Sequence, residues 1–297
     1  MPAVDNPSAA NPCYDDWPAK DAAEANFYLT NKRFRALSGS ITYVASVGRP
    51  DIAHSAAMIS RHNHRPGPKA FAAAKRIVAY LLATKDRKLT YSGPTSRPIP
   101  WDRIGIKVYV DADHMGSDEK SQTGMATYIT HNDATQQSFC GGAVDWMSKR
   151  QGCMAEYPEP PTPVYAEDDD ISVAGHSSDA ELIAISDTVP RARHARLLVR
   201  EMGASQPAPT NVFSDSLPAV KFVHTDTSPS LKHMNARVRQ VREMLRLGVM
   251  AYLHLPGNQN NADALTKRLT SAIFEKHART LMGIDCGQFV KPRTPGG

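Results

Sequence analysis

No two cysteines in this sequence stand close enough to form a metal-binding pair. Cys13, Cys140, Cys153 and Cys286 are isolated, and no CxxC or other zinc-type spacing occurs. That removes the structural zinc classes and leaves reduced intracellular thiols as the expectation. No apolar stretch approaches the ~18–20 residues needed to span a bilayer, so no membrane partner is expected. The first twenty residues, MPAVDNPSAANPCYDDWPAK, lack the basic start and apolar run of a secretion signal.

What is present is enough for one large domain or two modest ones. The 297 residues are 41% hydrophobic and 22% charged, which supports a packed core and excludes wholesale disorder. A net charge of +5 shifts the odds slightly toward polyanion partners. The 22 prolines gather at 94–100, 158–163, 207–209 and 292–295, where they mark loops or linkers.

The patterning divides the chain into five stretches. Residues 1–32 read as weakly ordered. Residues 33–93 read as a helical segment: Phe71, Ala74, Ile77, Val78, Leu81 and Leu82 fall on one side of a helix. Lys69, Lys75, Arg76, Lys85, Arg87 and Lys88 decorate its remainder. This segment is either a packing adaptor with a solvated basic face or a contact surface for a polyanion backbone. Residues 94–104 form a linker, 105–275 a mixed α/β domain, and 276–297 a C-terminal tail.

Within 105–275 the rhythm is three strands, helix, strand, helix, strand, helix. Strands are expected at Ile106–Val110, Gly124–Thr130, Phe139–Met147 (bent at its two glycines), Val212–Ser214 and Val249–Leu255. A helix from about Ser178 to Glu201 has Ser177 or Ser178 as its cap, with Glu181 completing a capping box. Leu231, Met234, Val238, Val241 and Leu245 form the apolar face of another, and Ala262–Arg268 opens a third. Residues 152–170, rich in proline and acid, read as an inserted loop whose deletion leaves the fold intact.

Four carboxylates sit where strands end or helices begin: Asp111 after KVYV, Glu181 in SSDAEL, Asp215 after VFS, and Asp263 in NNADALTK. Singly, each is as well explained as a cap or a turn former. A sheet with 106–111 beside 211–215 would bring Asp111 and Asp215 together, and helices packed on it could present Glu181 and Asp263 to the same point. Carboxylates so gathered repel one another, and hard divalent cations that prefer oxygen ligands remove that cost.

The order of these acids resembles ribonuclease H. More closely, the chain resembles the C-terminal end of the polyprotein of copia-type retrotransposons. VGRPDIAHSAAMISR (47–61) and AAAKRIVAYLLATKDRKLTYSG (72–93) are similar to the tail of that family's reverse transcriptase. YVDADHMGSDEKSQTGMATYI (109–129), VDWMSKRQ (144–151), HSSDAELIAISDTV (176–189), FSDSLPAV (213–220), SLKHMNARVRQVRE (230–243) and NNADALTKRL (260–269) follow in the order of its ribonuclease H. Each piece is weak alone; their succession over about 33–270 is specific.

The resemblance implies a five-stranded mixed sheet in the order 3-2-1-4-5 with flanking helices, and a small helical segment before it. It implies Asp111, Glu181, Asp215 and Asp263 as catalytic metal ligands, with Asp113 a weaker alternative to Asp111. It implies two Mg²⁺ ions about 4 Å apart, with Mn²⁺ able to replace them, and the RNA strand of an RNA–DNA hybrid as substrate. An upstream reverse transcriptase region is the expected partner, and the cytoplasm, with the nucleus as alternative, the expected location. Lys149, Arg150, Lys232 and Arg237 are expected to touch nucleic acid, whereas Arg239, Arg242 and Arg246 are equally well read as solvated. Trp146 is expected to pack under the sheet.

Some features depart from the family. No YxDD-like aspartate pair precedes residue 47, so no polymerase activity is expected. The 152–170 insertion interrupts a junction that relatives cross almost directly. Asn258 stands in the PGN turn, where cellular enzymes of this fold carry a mobile histidine, so that role has no assigned residue. The alternative is therefore a catalytically inactive, nucleic-acid-binding or structural remnant. A third reading is an integrase-like nuclease, but integrases place their glutamate on a later helix.

Overall fold

The computed structural model describes residues 24–91, 100–114, 121–132, 137–151, 177–225 and 235–284. Three helices come first: α1 (Glu24–Val47), α2 (Ala53–Ser60) and α3 (Pro68–Ala83). Then follow β1 (Ile104–Asp113), β2 (Gln122–Asn132), β3 (Gln137–Phe139), β4 (Asp145–Arg150), α4 (Ser177–Glu201), β5 (Thr210–Ser214), α5 (Leu217–His224), α6 (Asn235–Arg246), β6 (Met250–His254) and α7 (Ser271–Leu281). Helix α1 begins inside the stretch expected to be weakly ordered, and α7 runs past residue 275. The 152–170 insertion lies outside the described residues.

β1 pairs antiparallel with β2 and parallel with β5, and β5 pairs parallel with β6. β3 and β4 both pair with β2, on either side of a bulge at 140–144 where Gly141 takes a φ of +119°. That positive φ suits glycine. With β3 and β4 counted as two pieces of one bent strand, the spatial order is 3-2-1-4-5. The sequence-based order of strands is met, and helices flank the sheet.

Strand alternation sends the two faces of β1 to different cores. Ile106, Val108, Val110 and Ala112 join Ala180, Ala184 and Ile185 of α4 and Val238 and Val241 of α6. Tyr109 packs on the opposite side with Tyr128, Phe139, Leu265 and Leu281. Its ring stacks on Phe213 with centroids 5.4 Å apart. Asp111 shares this second face by the same two-residue period.

The helices α1–α3 form a third core that they do not complete alone. Phe34, Ile41, Ile52, Ile77 and Tyr80 close on Phe274 and Ala278 of α7. Arg87 reaches Glu275 of α7 at 2.7 Å, and the Trp146 indole donates to the Ala45 carbonyl at 2.8 Å. Trp146 thus packs between sheet and helices. Tyr80 is buried where the helical pattern pointed to Leu82, which is 68% exposed. Tyr80 donates to Asp51 at 2.8 Å, and Asp51 is held by Arg49.

Local expectations are corrected in three places. Asp111 lies inside β1 rather than after it, because its pairing with Gly124 prolongs the ladder. Ala262–Arg268 does not open an α-helix. A short 3-10 turn spans Asn261–Leu265, and the next α-helix starts at Ser271. Thr266 and Lys267 turn back onto Asp111, which halts the winding. Helix α5 was not anticipated; Ser216 caps it, its Oγ accepting from the Ala219 N–H at 3.3 Å, with Pro218 in the first turn.

Candidate metal centre

Parallel pairing of β1 with β5 runs through Tyr109 and Phe213. Two residues further along each strand path, Asp111 and Asp215 come level. The 3-10 turn carrying Asp263 packs over β1 and β2 and completes the group. Among the described residues, one carboxylate oxygen each from Asp111, Asp215 and Asp263 lie within 4.8 Å of one another. Asp111 is wholly buried.

Glu181, in the second turn of α4, which begins at Ser177, is not one of the three converging acids, although the charges of Asp111 and Asp215 act on it. Its Oε2 is buried with no hydrogen-bond partner among the described residues. The Gln151 amide holds this end of α4, donating to the Ala180 carbonyl at 2.8 Å and to Thr123 Oγ1 at 3.0 Å. Burial, and then Asp111 and Asp215, push the Glu181 carboxyl up to about 9. Burial and Asp111 likewise push Asp263 up to about 7. Asp111 is raised by burial against the opposing charge of Lys267. Each shift marks a site in which these groups cannot all ionise without added positive charge.

Three residues of the 260–267 stretch set this geometry, and sequence reading passed over all of them. The Asn260 amide donates to the Val110 carbonyl at 3.0 Å and to Asp215 Oδ1 at 3.4 Å, while its oxygen accepts from the Ala262 N–H at 3.1 Å. It therefore ties β1, Asp215 and the turn together. Thr266 donates to Asp111 Oδ2. Lys267 Nζ stands 2.9 Å from Asp111 Oδ1 and 3.3 Å from Asp263 Oδ1. Burial works against its charge, but Asp111 and Asp263 hold it above the ordinary lysine value.

Gly124 makes room for the turn. A Cβ there would lie 2.6 Å from Thr266 Cγ2, 2.9 Å from the Ala262 carbonyl and 3.0 Å from Leu265 Cβ. Two of these are not flexible side-chain ends, so the turn itself must move. Gly124→Ala is expected to cost about 1–3 kcal/mol and to displace Asp263 from its partners. Thermal melts and divalent-ion titration check this; unchanged stability and ion affinity would show that the turn has slack.

The other expected site residues divide. Asp113 is raised by burial but is not one of the three converging aspartates. Lys149 and Arg150 lie on β4, one and two rows from the Gly124–Ser148 pair that is level with Asp111, and two strands from it, roughly 10 Å away at ordinary strand spacing. Arg237 of α6 is ion-paired with Asp187 of α4, which Lys149 also approaches at 3.9 Å. Arg237 is therefore already neutralised in part. Lys232 lies outside the described residues. An unexpected cation is Arg61, at the end of α2, which donates to Gln122 beside Asp113.

The three converging acids offer oxygen, and Glu181 beyond them keeps a buried oxygen without a hydrogen-bond partner among the described residues. Such a donor set suits a hard divalent cation. Strand order and clustered acids together define a ribonuclease H-like protein with a carboxylate cluster able to hold metal.

Comparison with known proteins gives the lineage. The chain is 31% identical over 244 residues to the retrovirus-related Pol polyprotein from transposon TNT 1-94 of Nicotiana tabacum, matching 80% of this chain and 15% of that one. It is 23% identical over 251 residues to the Pol polyprotein from transposon RE2 of Arabidopsis thaliana, matching 84% and 15%. The chain is a homologue of the Pol polyproteins of copia-type retrotransposons. It spans only about 15% of the length of these relatives. No protein-family model matches it. The crystal structure of LC11-RNase H1 in complex with RNA/DNA hybrid aligns at 16% identity with a TM-score of 0.34, covering 54% of this chain and 93% of that one. Among the described residues, no helix is long and apolar enough to cross a membrane.

Proposed function

We propose that this chain is a metal-dependent endonuclease that hydrolyses the RNA strand of RNA–DNA hybrids within a retrotransposon's reverse-transcription machinery. The convergence of the Asp111, Asp215 and Asp263 oxygens within 4.8 Å carries this reading. Asp111, Glu181, Asp215 and Asp263 would hold Mg²⁺, with Mn²⁺ able to substitute. Bound there, two such ions would activate water toward phosphorus and neutralise charge on the leaving 3′-oxygen.

The chain's own residues supply the remainder. Asp111, fixed in a sheet and fully buried, gives the group a rigid reference point. Asn260 orients Asp215, and Gln151 orients the turn bearing Glu181. Lys149 and Arg150, on the outer strand one and two rows from the level of the cluster, meet backbone phosphate, with Arg237 and Lys232 the further candidates for that contact. Such contacts read groove shape and 2′-hydroxyls rather than sequence. The α1–α3 segment is the connection to an upstream reverse transcriptase region.

The test uses hybrid labelled separately on each strand, with Mg²⁺ or Mn²⁺ and an EDTA control. Cutting of the RNA strand alone, abolished by EDTA, is the expected result. Hybrid binding without cutting would instead identify an inactive remnant. Equal cutting of both strands would point to a different nuclease activity.

A further inference from the structure

The carboxylate cluster is not evenly open. Both oxygens of Asp111 are already engaged, Oδ2 by Thr266 and Oδ1 by Lys267. Asp263 Oδ1 is engaged by the same ammonium at 3.3 Å. Among the described residues, Asp215 Oδ1 has one long contact, 3.4 Å from the Asn260 amide, and Glu181 Oε2, outside the converging three, has no hydrogen-bond partner. The Asp111–Asp263 side of the cluster thus carries a resident cation in direct contact, and the Asp215 side does not.

We infer that Lys267 is a built-in counter-cation occupying the Asp111–Asp263 side, so that the free protein takes one divalent ion, on the Asp111–Asp215 side facing Glu181, and a second only when Lys267 withdraws. The inference rests on the metal-centre reading above and adds an order of filling to it. Magnesium binds carboxylate oxygen at about 2.0–2.1 Å. An ammonium already bridging Asp111 and Asp263 stands in the space a second ion would need. Charge points the same way: one dication leaves four carboxylates and Lys267 net negative, whereas two would leave them net positive. Withdrawal is sterically open, because the Lys267 side chain is 33% exposed. A phosphate group arriving beside the cluster would give that ammonium another anion to pair with.

Mn²⁺ titration of the full chain without nucleic acid, with bound ions counted by electron paramagnetic resonance, tests this. Wild type is expected to bind one ion tightly. Lys267→Met, which keeps the apolar stem and removes the charge, is expected to bind two, the second at least about tenfold more tightly than in wild type. Lys267→Arg is expected to keep the one-ion behaviour. Because Lys267→Met leaves four acids without a counter-charge, its folding is checked by circular dichroism. A Mn²⁺-soaked wild-type crystal gives an answer that needs no variant: one anomalous peak among Asp111, Asp215 and Glu181, with Lys267 still on Asp263. Two equivalent ions in wild type, or an unchanged count in Lys267→Met, would overturn the inference while leaving the metal centre standing. An absence of bound ion in wild type would overturn both.

Discussion

Asp215→Asn is expected to lower RNA-strand cleavage about 10³-fold or more, roughly 4 kcal/mol of transition-state stabilisation. Asp215 comes level with Asp111 through parallel pairing of β5 with β1, and its oxygen is one of the three that converge. Asparagine keeps the shape and still offers Oδ1 to the Asn260 amide, now 3.4 Å away. It removes the charge that holds a dication. The fold is therefore retained, and ion affinity and cleavage fall together. Single-turnover assays at saturating hybrid, beside thermal melts, separate these effects. Cleavage that persists in a folded Asp215→Asn protein would place the chemistry elsewhere.

The second large effect concerns Glu181 and pH. In the metal-free chain its carboxyl is pushed up to about 9 by burial and by Asp111 and Asp215. A group whose folded value lies above its unfolded one binds its proton more tightly in the folded state. Its contribution to stability is full below the ordinary value of 4.5 and is lost as pH climbs toward about 9. Glu181→Gln cannot titrate. Without metal, its melting temperature is expected to pull ahead of wild type by roughly 5 °C or more between about pH 6 and 9. Added Mg²⁺ should reverse the order, because a dication competes with the proton for Glu181 and stabilises only the form that binds it. Melts of both proteins across that pH range, with and without Mg²⁺, read this directly. A wild-type-to-variant gap that is flat in pH would show that Glu181 is not held in the acid-crowded environment described.

Both predictions rest on residues visible in the sequence, but for reasons it only partly contains. Asp111 and Asp215 follow short apolar runs whose two-residue alternation is local and readable. Glu181 lies near the start of a helix with recognisable boundaries. The 260–267 stretch was harder. Its apolar spacing suggested a helix, yet Asn260, Thr266 and Lys267 make bonds to β1 and Asp215 that hold it as a 3-10 turn instead. Side chains whose partners lie some 150 positions away leave no periodic trace. Tyr80 illustrates the same limit: its burial follows from Asp51 and Phe274, not from its own helix.

The sequence by itself determined the succession of the strands and long helices and the order of the four acids, because those depend on side-chain periods within a few residues; it did not determine α5 or the 3-10 turn at Asn261–Leu265. It also carried the copia-type resemblance. Tertiary structure alone decided that three acids meet, that Glu181 is driven toward its neutral form, and that Lys267 stands among them. It also decided that the first three helices share a core with α7 at the far end of the chain. The meeting of the acids and Lys267 depends on strand pairing and on the space Gly124 leaves for the 261–265 turn. Electrostatic coupling falls off with distance, so it exists only once folding has set those distances.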